Sequence, residues 1–150
     1  MISPDQPRGP EAVVVDASVA LKLLLLEEES LAVHQQWDRW VAQDVEIVGP
    51  FLLAYEVLSV LRGKVFRGDL PREAGEAATA AFLGQGIALL HPEGVEQKAW
   101  ELATGLNLPT VYDAAYLALA EILECELWTA DRRLGAAVRR KTRRVRLIGG

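Results

Sequence analysis

Cysteine occurs once, at Cys125, so no internal disulfide can form, and a buried, reduced thiol in a cytosolic protein is the simplest reading. No apolar run approaches the roughly 18 residues that would cross a bilayer. The oiliest stretch, residues 12–26, is interrupted by Asp16, Ser18 and Lys22. The first ten residues carry Asp5, Arg8, Pro4, Pro7 and Pro10, which is not the basic-then-apolar pattern of a signal peptide. They read as a flexible leader, 1–10, ahead of a single domain over 11–150, and the protein as cytoplasmic with no membrane partner. Histidine occurs twice, at His34 and His91, and with one cysteine neither belongs to a cluster with zinc-ligand spacing. Both histidines are read as structural or surface residues. Internal repeats, low-complexity tracts and long linkers are also missing.

The composition that remains is globular: 150 residues, 51% hydrophobic and 25% charged. It excludes a disordered, collagen-like or disulfide-scaffold chain. A domain of this size buries roughly two-thirds of its unfolded surface, so it needs no metal merely to fold. The net charge of −5 argues against indiscriminate nucleic-acid binding. Residues 131–150 differ, with Arg132, Arg133, Arg139, Arg140, Lys141, Arg143, Arg144 and Arg146 against the single acid Asp131. This end could attract a phosphate backbone. Equally, Arg139, Arg140 and Lys141 could close a helix against its dipole, with Arg144 and Arg146 facing water on an edge strand.

Short β-rich runs alternate with helical segments. Residues 12–15 form a β-branched run, followed by a helix from Ala17 to about Leu26. Ser30 is placed to cap a second helix, in which Leu31, Val33, His34, Trp37, Trp40 and Val41 fall near helical spacing. A strand over 45–48 is expected to stop at Gly49-Pro50. A long helix follows over 51–67, with Phe51, Ala54, Tyr55, Leu58 and Leu61 on one stripe. A turn leads into a helix over 71–83 that has Pro71 at its first position. A strand over 86–90, helices over 92–104 and 110–124, a strand over 127–129, a helix over 131–139 and a strand over 145–148 complete the pattern. Strands separated by helices indicate βαβ units, hence a three-layer α/β/α sandwich with a central parallel sheet of four to five strands. In such sheets ligands bind beyond the carboxyl ends of the strands, where strand order reverses.

Asp16 directly follows the first strand, and Asp131 follows the fourth by two residues in Thr129-Ala-Asp131. Glu56 and Asp113 interrupt apolar helices near their starts. Each of three acids also has an ordinary explanation: Asp16 and Asp131 could cap the helices after them, and Thr110-x-x-Asp113 matches a capping box. Glu56 lies too deep in its helix to be a cap, among Leu52, Leu53, Val57 and Val60. A carboxylate there needs a partner or a proton, since unpaired burial costs several kcal/mol or raises its pKa. Bases are scarce: apart from Arg8, Lys22 is the only one in the first 38 residues. Carboxylates without bases repel one another, and the natural counter-charge is a hard divalent cation, Mg²⁺ or Mn²⁺.

At these residues the chain resembles the PIN-domain family, and within it the VapC-type ribonuclease toxins of toxin–antitoxin pairs. The likeness is carried by Val14-Val-Asp16-Ala-Ser18, Pro50-Phe-Leu-Leu-Ala-Tyr-Glu56-Val, Val111-Tyr-Asp113-Ala-Ala-Tyr and Leu127-Trp-Thr129-Ala-Asp131-Arg-Arg-Leu134, in the family's order. The resemblance implies a metal-dependent endoribonuclease with Asp16, Glu56, Asp113 and Asp131 as catalytic and metal-binding acids around Mg²⁺ or Mn²⁺. Asp16 would be the central ligand, Asp113 and Asp131 would complete the shell, and Glu56 would be a ligand or orient the water. Ser18, Thr129, Lys22 and Arg132 are the candidate substrate contacts, the two hydroxyls also being plausible supports of the acids. A small antitoxin partner and a homodimer are further implications of the resemblance. The competing reading is a PIN-like RNA-binding or assembly module without catalysis. Phosphoryl transfer through Asp16 fits less well, because haloacid-dehalogenase-like phosphatases want a second Asp where Ser18 stands, and a receiver-like regulator wants an acid pair and a late Lys.

Overall fold

The computed structural model describes residues 11–139 and 142–149. The expected leader over 1–10 and the helix-closing role of Arg140 and Lys141 lie outside the described residues. In chain order the elements are β1 (Ala12–Val15), α1 (Ala17–Leu24), α2 (Ser30–Ala42), β2 (Glu46–Pro50), α3 (Leu52–Phe66), α4 (Arg72–Leu83), β3 (Ala88–Leu90), α5 (Val95–Gly105), α6 (Tyr112–Ile122), β4 (Glu126–Thr129), α7 (Arg132–Arg139) and β5 (Val145–Leu147). The five strands form one parallel sheet in the order β3-β2-β1-β4-β5, covered by helices as an α/β/α sandwich.

Parallel strands are covered on both faces, which is why β1 can be a run of three consecutive buried valines, Val13, Val14 and Val15. Val48 on β2 and Leu127 on β4 are buried beside them. Helix α6 lies against β1, β2 and β4. Its Tyr116, Leu117, Leu119 and Ala120 join the main core, while Ala114 and Ala118 form a second small-residue seam with Val95, Ala99 and Ala103 of α5. Small side chains on both helices let the two backbones approach closely, so α5 is held as an outer helix on α6.

Strand β2 runs through Gly49-Pro50 rather than stopping before it. Pairing with β1 ends at Val14↔Val48, whereas pairing with β3 continues through Gly49↔Leu89 and Pro50↔Leu90. Pro50 therefore lies past the end of the β1 pairing, where its missing N–H matters least. The buried stripe of α3 is Leu53, Val57 and Leu61, not the one read from the sequence. Phe51 and Tyr55 are exposed, and only Leu61 of the expected set is buried. A helix apolar on nearly every side contains more than one stripe of helical period, and only the sheet beneath it selects one. Ser30 opens α2 instead of capping it: Glu29 holds the cap position at φ 67°, and the Ser30 hydroxyl donates to the Leu25 carbonyl. Cys125 is half-buried rather than buried, and the surrounding protein pushes its thiol pKa up.

Helices α3 and α4 pack through Gly75, where an added Cβ would clash with Val65 Cγ2. Val65 is β-branched and cannot swing aside at χ1. Gly75→Ala is therefore expected to destabilise the protein by about 1 kcal/mol in urea denaturation, the crowding of about 1–3 kcal/mol exceeding the helix-propensity gain of about 1 kcal/mol.

Candidate active site

Strand order reverses at β1, which leads to β2 on one side and has β4 on the other. Val15 is paired with Trp128, so the chains leaving β1 and β4 emerge side by side. The Asp16 N–H still reaches back to the Trp128 carbonyl at 3.3 Å. Asp16 then turns its side chain into the cap position of α1 and accepts from the Val19 N–H at 3.3 Å. Two hydroxyls close on it: Ser18 Oγ donates to Oδ1 and Thr129 Oγ1 to Oδ2, each at 2.5 Å. Both hydroxyls are themselves held, Ser18 Oγ accepting from the Ala130 N–H at 2.8 Å and Thr129 Oγ1 from the Asp131 N–H at 3.0 Å. Thr129, 111 positions from Ser18 and 113 from Asp16, thus helps lock the first carboxylate.

Asp16 is only 5% exposed. Burial raises its pKa to about 6 even though the hydrogen bonds from Ser18, Thr129 and Val19 oppose the rise; the Asp131 charge adds to it. Asp131 caps α7 as well, its Oδ1 accepting from the Arg133 N–H at 2.9 Å and the Leu134 N–H at 3.4 Å. The capping explanations for Asp16 and Asp131 therefore hold, and the two caps are close enough for the charge of one to act on the other. Asp113 is different. Helix α6 begins at Tyr112 with Val111 at its cap and no side-chain cap bond, so the expected Thr110–Asp113 capping box does not form. Partial burial of its carboxyl group, and then the charge of Asp131, push the Asp113 pKa up.

Glu56 is half-buried and opens on a cleft shared with Ala17, Leu52 and Tyr55. Its partner is Tyr116, which donates its hydroxyl to Glu56 Oε1 at 2.5 Å from sixty residues away. Burial, this bond and the charges of Glu56, Asp16 and Asp113 drive the Tyr116 pKa far upward, so the phenol keeps its proton and remains a donor. Tyr116 is thus the hub that three acids surround. It was missed as a site residue in the sequence, although it lies one turn from Asp113 on the same helix face, which is the signal that would have found it.

The candidate bases stand apart. Lys22 Nζ donates to the Glu28 carbonyl at 2.7 Å and lies 3.6 Å from Glu27, bracing the loop before α2. Arg132 turns onto Glu29 Oε1, with Nε at 3.0 Å and Nη2 at 2.5 Å. Arg146 on edge strand β5 pairs with Glu126, and Arg144 donates to the Cys125 carbonyl. Among the described residues none of Asp16, Glu56, Asp113 and Asp131 forms an ion pair with a base. His34 is exposed on α2; His91 is exposed after β3, bonded to Glu96.

The donor set suits a hard cation in chemistry: oxygen ligands only, mutually repelling and without bases. Among the described residues no three His, Cys, Asp or Glu side chains gather closely enough to cage a metal ion. Mg²⁺ does not require such a cage, because it is commonly held by one or two carboxylates, waters and substrate phosphate.

The fold is that of a known family. The chain belongs to the PIN domain family, whose profile matches residues 13–139. It is similar to Ribonuclease VapC9 of Mycobacterium tuberculosis, at 33% identity over 122 residues, covering 81% of this chain and 87% of the relative. It is also similar to Ribonuclease VapC3 of Pyrobaculum aerophilum, at 38% identity over 125 residues, covering 81% of this chain and 91% of the relative. In fold it matches the crystal structure of PAE2754 from Pyrobaculum aerophilum, with a TM-score of 0.62 at 24% identity over 85% of this chain and 86% of the other.

A carboxyl group whose folded pKa lies near 6, against 3.8 when free, binds its proton more tightly in the folded state. Its ionisation costs stability as pH rises from about 4 to 6, and that loss persists at pH 7. In EDTA, Asp16→Asn should therefore be more stable than the wild type at pH 7, by on the order of 1 kcal/mol. The advantage should shrink toward pH 4, as read from thermal melts across that range.

Proposed function

We propose that this protein is a divalent-metal-dependent endoribonuclease, the toxin of a toxin–antitoxin pair. The observation that carries the reading is the electrostatic coupling of acids from separate segments, Asp131 raising the pKa of both Asp16 and Asp113 and Tyr116 tying in Glu56, with none of the four ion-paired to a base among the described residues. The relatives named VapC ribonucleases support it. With it come a cytoplasmic location, a homodimer and a small antitoxin partner. No helix among the described residues is long and apolar enough to cross a membrane, which is compatible with that setting.

Of Asp16, Asp113 and Asp131, one or two at a time would hold Mg²⁺ or Mn²⁺ together with waters and substrate phosphate, with Asp16 central because two hydroxyls and a backbone N–H fix its orientation. A divalent cation bound there supplies an acidified water and neutralises charge on the phosphate. Ser18 and Thr129 act as positioning residues that keep Asp16 aimed at the crevice. Glu56, held by Tyr116, faces the cleft as a ligand or as the acceptor that orients the attacking water. The substrate is single-stranded or looped RNA, whose backbone can reach a crevice. Lys22 and Arg132 would have to release Glu27, Glu28 and Glu29 to contact phosphate.

Purified protein freed of antitoxin should cut RNA from a diverse pool with Mg²⁺ or Mn²⁺ and leave 5′-phosphate products. EDTA and Asp16→Asn should each abolish cleavage, by more than the roughly hundredfold upper range for supporting residues. Cleavage surviving both would overturn the reading, and folded protein that cuts nothing would favour the non-catalytic module. Tyr116→Phe should slow kcat about tenfold with KM little changed, because it frees Glu56 without touching the mouth of the crevice.

A further inference from the structure

Beside the carboxylates lies a second cavity, of about 250 Å³, walled by Phe51, Leu52, His91, Val95, Val111 and Ala115. We propose that it is a nucleobase pocket, which takes the base of a nucleotide adjoining the phosphate held at the acids. For the position of that phosphate the proposal rests on the ribonuclease reading; base binding itself requires no cleavage.

Position is the first support. Leu52 stands one turn before Glu56, and Val111 and Ala115, one turn apart at the start of α6, belong to the helix that carries Asp113. Leu52 is a shared wall, since it also lines the cleft that holds Glu56. A chain threaded past the acids would therefore carry its neighbouring base to this opening. Shape is the second. The cavity is below the roughly 300–1,000 Å³ of sites for drug-sized ligands, a size suited to one planar ring system. Chemistry is the third. Its walls are aliphatic apart from one edge, where the Phe51 and His91 rings stack at 5.2 Å between centroids and 23° between planes. Phe51 stays 54% exposed, which leaves a ring face for a base to cover. At the same edge the His91 Nε2–Glu96 Oε1 pair, 2.6 Å apart, offers hydrogen-bonding groups to a base's polar rim.

Electrostatics is the fourth support. The mouth is acidic, the chain carries −5, and Lys22 and Arg132 are engaged with Glu27, Glu28 and Glu29. Stacking in the pocket adds an uncharged hold on the strand that serves any sequence.

The test uses uncharged probes, which the acidic mouth does not repel. Adenosine and cytidine, with ribose as control, are titrated into the full chain in EDTA while methyl NMR signals are followed. Both nucleosides should shift Leu52, Val95 and Val111 and leave Val14 and Val48 unmoved; ribose should shift none of them. Phe51→Ala and His91→Ala should weaken that binding about tenfold, and Phe51→Ala should raise KM for a short RNA about tenfold with kcat within twofold. Nucleosides that leave the pocket methyls unmoved overturn the proposal, whether or not RNA is cut, as do shifts produced equally by ribose. Pocket signals that move with protein concentration alone overturn it too, because a second copy then fills the cavity. Nucleosides bound in the pocket of a protein that cuts no RNA uphold the pocket and remove the nuclease reading.

Discussion

The pairing of β1 with β4 is the constraint from which the site follows. It brings Asp16 and Thr129, at the ends of two strands far apart in sequence, within one hydrogen bond of each other. With Ser18 they form a closed unit in which each hydroxyl donates to Asp16 and accepts from a backbone N–H of the β4–α7 link. The hydroxyls carry their single protons to the carboxylate, so the 3.3 Å approach of Ser18 Oγ to Thr129 Oγ1 has no proton between them. Loosening the β4 end would take the Thr129 donor from a buried carboxylate, at a cost of about 1–3 kcal/mol.

The same unit stores an electrostatic tension. Asp16 is buried among like charges and carries a pKa raised to about 6 despite three hydrogen bonds that favour its ionised form. Asp131 contributes to the upward shift of both Asp16 and Asp113. A fold selected for stability alone would place a base or an apolar group here; retaining repelling acids at a switch point is the mark of a functional site. Basic side chains are present nearby but pair with glutamates outside the crevice, Lys22 with Glu27 and Arg132 with Glu29. That division leaves the crevice negative.

Much of this was legible from residue order. Alternation of short apolar strands with helices defines a parallel sandwich, and the acids after β1 and β4 mark its mouth. Boundaries were less legible where one residue type served two patterns. Gly49-Pro50 reads as a stop, yet it continues β2, because pairing with β1 has already ended there. The stripe on α3 was misread because its apolar residues satisfy more than one helical period. Thr110 and Asp113 have the spacing of a capping box but lie before and within α6 in a geometry that does not close one.

Local chemistry sufficed to identify Asp16, Asp113 and Asp131 as acids at element ends, and Glu56 as an acid in need of a partner. Such features depend on neighbours a few residues away, which any reading of the chain can reach. Long-range packing supplied the rest: that Tyr116 is Glu56's partner, that Thr129 grips Asp16, that Arg132 is engaged with Glu29, and that Phe51 and His91 stack. Each of these joins side chains whose separation along the chain carries no information about their separation in space, so they are settled only when the sheet order brings the strand and helix ends together.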